Sequence, residues 1–382
     1  MHLRSAASVL LFIAPCVVAF AACSSSDRDF GSDQAGAANV AGGGQSGAGA
    51  PSAGSSGMVS SAGSTSAGSG GTSAAGSSGA AGAAGSAAGA AGAAGAAGAA
   101  SMGGAGNTGA LPSAGCNMPA TQELGKYVKF SETVSGVATI WQARDYFVYL
   151  PKTYDPKRAY PVVFVGPGCG GQGDQGIPMQ VAAKEDAIVV GLQYKAAATG
   201  RDCFNTESYP DPEEDYFKET VKQVDAKYCV DTTRRFVEGF SSGSWLTNLI
   251  GCADGGLIRA QGNASGCMQG AKPAMCTGPV AYMAAHDKAD GNNTYQCGTD
   301  NRDRIVKLNG CSNTTMPYDP GPDIKMSAGV TISCVQYMNC KPGFPVVFCT
   351  TTGLGHNDQV GTGLSTFGFW KFWSSLPAKP AP

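Results

Sequence analysis

Runs of apolar residues four to six long recur through the chain from residue 146 onward. They occur at 146–150 (Tyr-Phe-Val-Tyr-Leu, stopped by Pro151), 162–165 (Val-Val-Phe-Val), 187–192 (Ala-Ile-Val-Val-Gly-Leu), 280–284 and 345–348. Unbroken runs of this length predict strands buried on both faces, because a half-exposed strand would alternate apolar and polar positions. Between the runs the period changes. Phe217, Val221, Val224 and Tyr228 recur at helical spacing, behind Asp211 as an N-cap, Pro212 at the first helical position and Glu214 to complete a capping box. A strand at 235–238 leads into a helix at 245–250, a further helix includes Ile305, Val306 and Leu308, and a C-terminal helix spans 367–376. Strands alternating with helices predict the α/β class, a mostly parallel sheet covered by helices on both faces. In such sheets, sites form beyond the carboxyl ends of the strands.

The N-terminal third reads differently. Residues 1–22 resemble a secretory signal, with Arg4 ahead of an apolar core at 9–14 that is too short for a comfortable membrane span. The segment ends Phe20-Ala21-Ala22-Cys23, which resembles a bacterial lipobox and makes Cys23 a lipid-anchor candidate. Residues 23–114 are rich in Gly, Ala and Ser and poor in aromatics, so they bury too little apolar surface to offset the entropy of ordering. They predict a flexible tether with a root-mean-square reach of about 50 Å. The Ala-Ala-Gly triplets within it lack proline and slip phase between Gly85 and Gly89, which excludes a collagen helix. Residues 115–382 are left as one large domain.

The formal net charge of the 382 residues is −2, and no cluster of Lys and Arg occurs, which argues against nucleic acid as a partner and leaves the lipid anchor as the link to a membrane. Of the 14 cysteines, 12 lie from Cys116 onward. An even number behind an export signal predicts disulfides, among them a bridge from Cys169, beside a glycine-rich loop, to Cys203. The cysteine spacings do not suit zinc, and neither a metal nor a cofactor is expected.

Candidate chemistry centres on Gly239-Phe240-Ser241-Ser242-Gly243, set between the strand at 235–238 and the helix at 245–250. That is the G-x-S-x-G pattern of a nucleophile elbow, whose glycines permit a sharp turn that presents the serine hydroxyl. A serine hydroxyl needs a base, and the base needs an orienting carboxylate. The histidines are His2, His286 and His356. His2 falls in the expected signal, and His356 lies in a glycine-flanked loop just past the last strand, so His356 is the expected base. His286, at a strand end, is expected to pack and order the neighbouring loop. That loop offers two carboxylates between Ser241 and His356 in the chain: Asp290, the expected acid, and Asp287, the alternative. The oxyanion hole would use the backbone N–H of Ser242 and that of Gly168 or Cys169 in the loop after the strand at 162–165; Pro167 has no N–H to offer. Tyr194, Trp245, Tyr282 and Tyr295 are candidates for an aromatic acyl pocket, although buried aromatics are more often core.

These residues resemble secreted esterases of the α/β-hydrolase superfamily, nearest to the type-C feruloyl esterases and the poly(3-hydroxybutyrate) depolymerase-like carbohydrate esterases. The resemblance runs from about Cys116 to Leu376. It is carried by the stretches Tyr149-Leu150-Pro151-Lys152-Thr153-Tyr154-Asp155-Pro156, Cys229-Val230-Asp231-Thr232, the elbow itself and Arg302-Asp303-Arg304-Ile305. Asn309-Gly310-Cys311, Tyr337-Met338-Asn339-Cys340, Gly355-His356 and the aromatic C-terminal segment continue it. The family's acid, four residues after a histidine at a strand end, falls on Asp290 after His286; its nucleophile falls on Ser241 and its base on His356. One position departs: the oxyanion loop carries Pro167 where the family usually has histidine. The resemblance implies an extracellular or cell-surface serine carboxylic-ester hydrolase, releasing feruloyl or other acyl groups from plant cell-wall polysaccharide. A polyester depolymerase is the alternative enzyme, and a non-catalytic surface-binding domain on the same scaffold is the alternative of another class.

Overall fold

The computed structural model of the protein describes residues 109–174, 177–207, 211–268, 276–356 and 361–379. The expected signal segment, Cys23 and nearly all of the expected tether lie outside these residues. The described chain forms ten strands: β1 (Tyr127–Thr133), β2 (Ala143–Tyr149), β3 (Tyr160–Gly166), β4 (Ile188–Leu192), β5 (Val230–Phe240), β6 (Ala260–Ala264), β7 (Ala281–Asp287), β8 (Thr315–Pro317), β9 (Thr331–Tyr337) and β10 (Val346–Thr352). Its helices are α1 (Thr139–Gln142), α2 (Met179–Ala183), α3 (Ala196–Thr199), α4 (Pro212–Lys227), α5 (Ser242–Ala253), α6 (Tyr295–Leu308) and α7 (Phe369–Ser374).

All ten strands join one sheet in the order β1-β2-β4-β3-β5-β6-β7-β10-β9-β8. Strands β4, β3, β5, β6, β7 and β10 run parallel, and antiparallel pairs β1·β2 and β9·β8 close the two edges. This is the α/β-hydrolase arrangement. The chain steps outward from β3 to β4 and then returns past β3 to β5. The loops leaving β3 and β5 therefore diverge, and a crevice opens between them at the carboxyl ends of the strands.

Strand periodicity builds the two sides of the core. Val162 and Phe164 face one way, with Phe217, Val221, Leu246 and Ile250. Val163 and Val165 face the other, with Phe236, Phe369 and Trp373. Each large apolar side chain buried this way contributes roughly 1.5–3 kcal/mol. Helix α4 begins as the sequence predicts, with the Asp211 carboxylate accepting the Glu213 N–H and Pro212 in the first turn, while the Glu214 carboxylate pairs with Lys218.

The structure differs from the sequence expectation in three places. Strand β6, Ala-Gln-Gly-Asn-Ala, is wholly buried yet has no apolar run. Small residues are what the site demands: a Cβ on Gly262 would sit 2.5 Å from the Phe369 ring and 2.7 Å from that of Trp373. Strands β1, β8 and β9 are edge or near-edge strands with many exposed positions, so they lack a buried run. The expected helix at 367–376 instead divides into a π-helical turn, Leu364–Gly368, followed by α7.

Six disulfides pair all 12 cysteines from Cys116 onward: Cys116–Cys229, Cys169–Cys203, Cys252–Cys276, Cys267–Cys297, Cys311–Cys340 and Cys334–Cys349. Ordered contacts begin inside the expected tether. Leu111 N–H reaches the Asp231 carboxylate, Pro112 bridges to Asp231, and the Ser113 hydroxyl donates to the Tyr228 carbonyl.

Candidate active site

Ser241 is the turn between β5 and α5. Its backbone is held at φ 52° and ψ −116°, on the left-handed side that a residue with a Cβ normally avoids. Such strain costs of order 1–3 kcal/mol and persists only where the surroundings enforce it. Here Ser241 N–H donates to the Ala264 carbonyl at 3.0 Å, and Trp245 N–H donates back to the Ser241 carbonyl at 3.1 Å. The flanking glycines are sterically required. A Cβ on Gly239 would lie 2.1 Å from the Gly243 carbonyl carbon, and one on Gly243 would lie 1.9 Å from the Gly166 carbonyl oxygen.

His356 arrives from the far side of the sheet. β10 ends at Thr352, and Gly353 (φ 89°) and Gly355 (φ 63°) bend the chain back over the strand ends. The imidazole Nε2 lies 2.9 Å from Ser241 Oγ, and Nδ1 lies 2.9 and 3.0 Å from the two oxygens of Asp290. A carboxylate only accepts, so the proton belongs on Nδ1, which leaves Nε2 to accept from the serine hydroxyl. The ring leans on Phe240, with centroids 5.2 Å apart.

Asp290 sits in the loop after β7 and is 5% exposed. Oδ1 accepts the N–H groups of Asn292 and Asn293, each at 2.9 Å, and Oδ2 lies 3.3 Å from His286 Nε2. Burial alone would raise this carboxyl. The hydrogen bonds from His286, His356 and the Asn293 N–H outweigh burial and hold it well below the ordinary carboxylate range. His286 faces this loop and not Ser241: it is 1% exposed, with Nε2 2.7 Å from the Asn293 carbonyl.

Asp287, three residues earlier, is fully buried and has different partners. Its Oδ2 accepts the Thr351 hydroxyl at 2.9 Å and the Leu354 N–H at 3.0 Å, and its Oδ1 accepts the Ala289 N–H at 2.9 Å. It fastens the loop that bears Asp290 to the loop that bears His356.

The loop leaving β3 passes over the nucleophile. A Cβ on Gly168 would lie 2.9 Å from the Phe240 ring and 3.4 Å from Ser241 Cβ. Gly170 N–H bonds the Asp202 carbonyl at 2.7 Å, and the Cys169–Cys203 disulfide adds a second link to the same segment. Ser242 is the first residue of α5, where backbone N–H groups have no partner within the helix. The backbones of Ser242, Gly168 and Cys169 thus flank Ser241. Among the described residues, no group of three His, Cys, Asp or Glu side chains is placed to hold a metal ion.

The chain is similar to feruloyl esterases of types C and D. Feruloyl esterase D of Neurospora crassa is 26% identical over 288 residues, which cover 69% of this chain and 91% of that protein. Probable feruloyl esterase C of Aspergillus clavatus is 28% identical over 246 residues, covering 60% and 83% respectively. Among solved structures, the acetyl xylan esterase from Aspergillus awamori aligns with a TM-score of 0.47 at 16% identity, covering 63% of this chain and 99% of that one. No family model matches the chain.

The four aromatic pocket candidates separate. Trp245, one turn into α5, stands beside the triad half-buried, with its indole N–H on Asn293 Oδ1 at 3.0 Å. The Arg201 guanidinium lies 5.9 Å from the centre of its ring. Tyr282, named as a pocket candidate, is instead a core residue, the more common place for a buried aromatic. It is the second residue of β7, near the strand's amino end, is 1% exposed, and its hydroxyl accepts from Asn301. Tyr194 packs edge-on against Phe204 in the core. Tyr295 stands between His286 and Phe348 with its hydroxyl 2.7 Å from Thr350 Oγ1. Sequence reasoning missed Asn293, Phe240 and Arg201. Only the spacing of Asn293 from Asp290 could have drawn attention to it.

Proposed function

We propose that the protein is a serine carboxylic-ester hydrolase in which Ser241, His356 and Asp290 form the catalytic triad. The observation that carries this reading is the unbroken relay from Ser241 Oγ through His356 Nε2 and Nδ1 to Asp290, each step 2.9–3.0 Å. Ser241 Oγ attacks the ester carbonyl carbon, and His356 Nε2 takes the hydroxyl proton. The negative charge that forms on the carbonyl oxygen is met by the N–H of Ser242 and that of Gly168 or Cys169. Losing one such donor typically costs ~3–4 kcal/mol of transition-state stabilisation. His356 returns the proton to the departing alcohol, leaving an acyl group on Ser241. Water then attacks the acyl carbon, gives its proton to His356, and the acid leaves as Ser241 recovers its hydrogen. Asp290, held ionised by its donors, stabilises the imidazolium at both steps.

The substrate class in this reading is the feruloyl or a related acyl ester on plant cell-wall polysaccharide. The relatives' names support it, as does Trp245 beside the triad. Residues 1–22 serve as the export signal, Cys23 as the lipid anchor, 23–114 as the tether and 115–382 as the esterase domain, which places the enzyme outside the cell or at its surface. The six disulfides fit that compartment. The tether meets the domain at the amino end of β5, through Leu111, Ser113 and the Cys116–Cys229 bridge. Ser241 lies past the carboxyl end of the same strand, roughly 30 Å away at ~3.3 Å per residue. The anchored enzyme would hold its site away from its point of attachment.

Methyl ferulate, acetylated xylan and a hydroxybutyrate polymer, each assayed with wild type and Ser241→Ala, test this reading. Ferulate release by wild type and none by the variant is expected. Turnover of the polymer alone would shift the assignment to a polyester depolymerase. No hydrolysis of any ester, or equal rates from both proteins, would leave a surface-binding domain on an esterase scaffold.

A further inference from the structure

Asn293 lies three residues beyond Asp290, is 5% exposed, and has every polar group engaged. Its N–H donates to Asp290 Oδ1 at 2.9 Å and its carbonyl accepts from His286 Nε2 at 2.7 Å. Its side chain carries two more bonds: Oδ1 accepts the Trp245 indole N–H at 3.0 Å, and Nδ2 donates to the Ser265 carbonyl at 2.9 Å. Chemistry dictates the orientation of the amide. An indole N–H can only donate and a peptide carbonyl can only accept, so a flipped amide would oppose donor to donor and acceptor to acceptor.

The two backbone bonds tie the residue to Asp290 and to His286 at the end of β7, and Asn293→Ala leaves both backbone groups in place. The two side-chain bonds leave the acid loop. One reaches α5 four residues after Ser241. The other reaches Ser265, just past β6, whose φ of 49° is strained for a residue with a Cβ. Ser265 directly follows Ala264, whose carbonyl holds the Ser241 N–H. Asp290 and Ser241 follow β7 and β5, with β6 between them. His356 must reach both at hydrogen-bond distance, so a shift of either loop breaks the relay.

We propose that Asn293 is a positioning residue whose side chain locks the acid loop to the nucleophile helix and so sets the gap that His356 spans. This rests on the hydrolase reading. The test uses purified full-length wild type, Asn293→Ala, Trp245→Phe and the double variant. The readouts are kcat and KM on p-nitrophenyl acetate, active-site titration with a phosphonate, and Tm. Misplacement of about 1 Å can cost about a hundredfold in rate, so Asn293→Ala should lose about 10- to 100-fold in kcat per titrated site, with KM changed less than about threefold. Trp245→Phe keeps an aromatic ring and removes only the donor, and should lose about 3- to 10-fold. The double variant should be about as slow as Asn293→Ala, because both changes cut the same bond. A lowered Tm with kcat per site unchanged, or losses that multiply in the double variant, would overturn the proposal. Should Asn293→Ala not fold, Trp245→Phe decides alone: reduced kcat at unchanged Tm supports the proposal, and kcat within about twofold of wild type overturns it. A wild type inert to ester and phosphonate would sink the hydrolase reading and this proposal with it. An active wild type with unaffected variants would sink this proposal alone.

Discussion

The acid loop and the strand that delivers the nucleophile each bury a carboxyl, and the two share little else. Asp290, in the loop after β7, is surrounded by donors: two backbone N–H groups and two imidazoles. Glu238, three residues before Ser241 in β5, is fully buried, and neither of its oxygens has a hydrogen-bond partner among the described residues. Burial, with no such partner to offset it, pushes Glu238 well above the ordinary carboxylate value. Asp290 is buried too and is held ionised. Burial sets the cost of a charge; the supply of donors decides whether the charge exists. The protein keeps a buried negative charge at the sheet's carboxyl edge, where an imidazolium would need it, and disfavours one at Glu238 in the strand beneath.

The largest expected effect follows from that contrast. Asp290→Asn should lower kcat about 10⁴-fold, since an amide cannot orient and stabilise the imidazole as a carboxylate does. Steady-state kinetics on methyl ferulate measures it. Asp287→Ala should cost less in rate, about 10- to 100-fold through displacement of the His356 loop. It should cost more in stability, about 1–3 kcal/mol for each buried donor left unpaired. If Asp287→Ala proves the slower enzyme of the two, the acid is misassigned.

Stability against pH should separate the two carboxyls by sign. The folded value of Asp290 is depressed, so its contribution is present above the unfolded value of about 3.9 and is lost as pH falls toward the folded value. In urea titrations with disulfides intact, the stability gap between wild type and Asp290→Asn should shrink from pH 5 to pH 2. The folded value of Glu238 is raised, so its contribution is present below the unfolded value of about 4.3 and is lost as pH rises toward and through the folded value. Glu238→Gln should therefore gain on wild type as pH rises above about 5. The same variant should give the smallest effect on turnover, within about twofold at pH 7, because an amide keeps the shape of the carboxyl and no hydrogen bond among the described residues is lost with the carboxylate. A Glu238→Gln enzyme crippled at pH 7 would mean that Glu238 is charged and the contrast false.

Much of this arrangement was legible along the chain because it rests on local chemistry. Unbroken apolar runs mark strands that are buried on both faces, and β3 and β4 lie where those runs predict. The elbow around Ser241 announces itself because its turn tolerates no side chain at Gly239 or Gly243. His356 stood out because so few histidines compete with it. Other features had no local signature. β6 is buried through small and polar residues, whose partners come from α5 and α7. Nothing in the pattern of 280–284 revealed that Tyr282 lies near the amino end of its strand, remote from the site. Asp287 and Asp290 look alike in sequence, and only the return of the β10 loop decides which carboxylate meets the imidazole and which pins the loop.

The order of residues by itself therefore determined where the strands buried on both faces by apolar runs lie, where the chain must turn sharply, and which few side chains have the reactivity for acyl transfer. These are short-range properties, set by sterics and by hydrophobic period over a few positions. The charge of each buried carboxyl, the pairing of the cysteines other than Cys169 with Cys203, and the fourfold anchoring of Asn293 were decided by tertiary structure alone. Each depends on donors and partners brought from distant positions, and no local pattern encodes what the folded chain will place alongside.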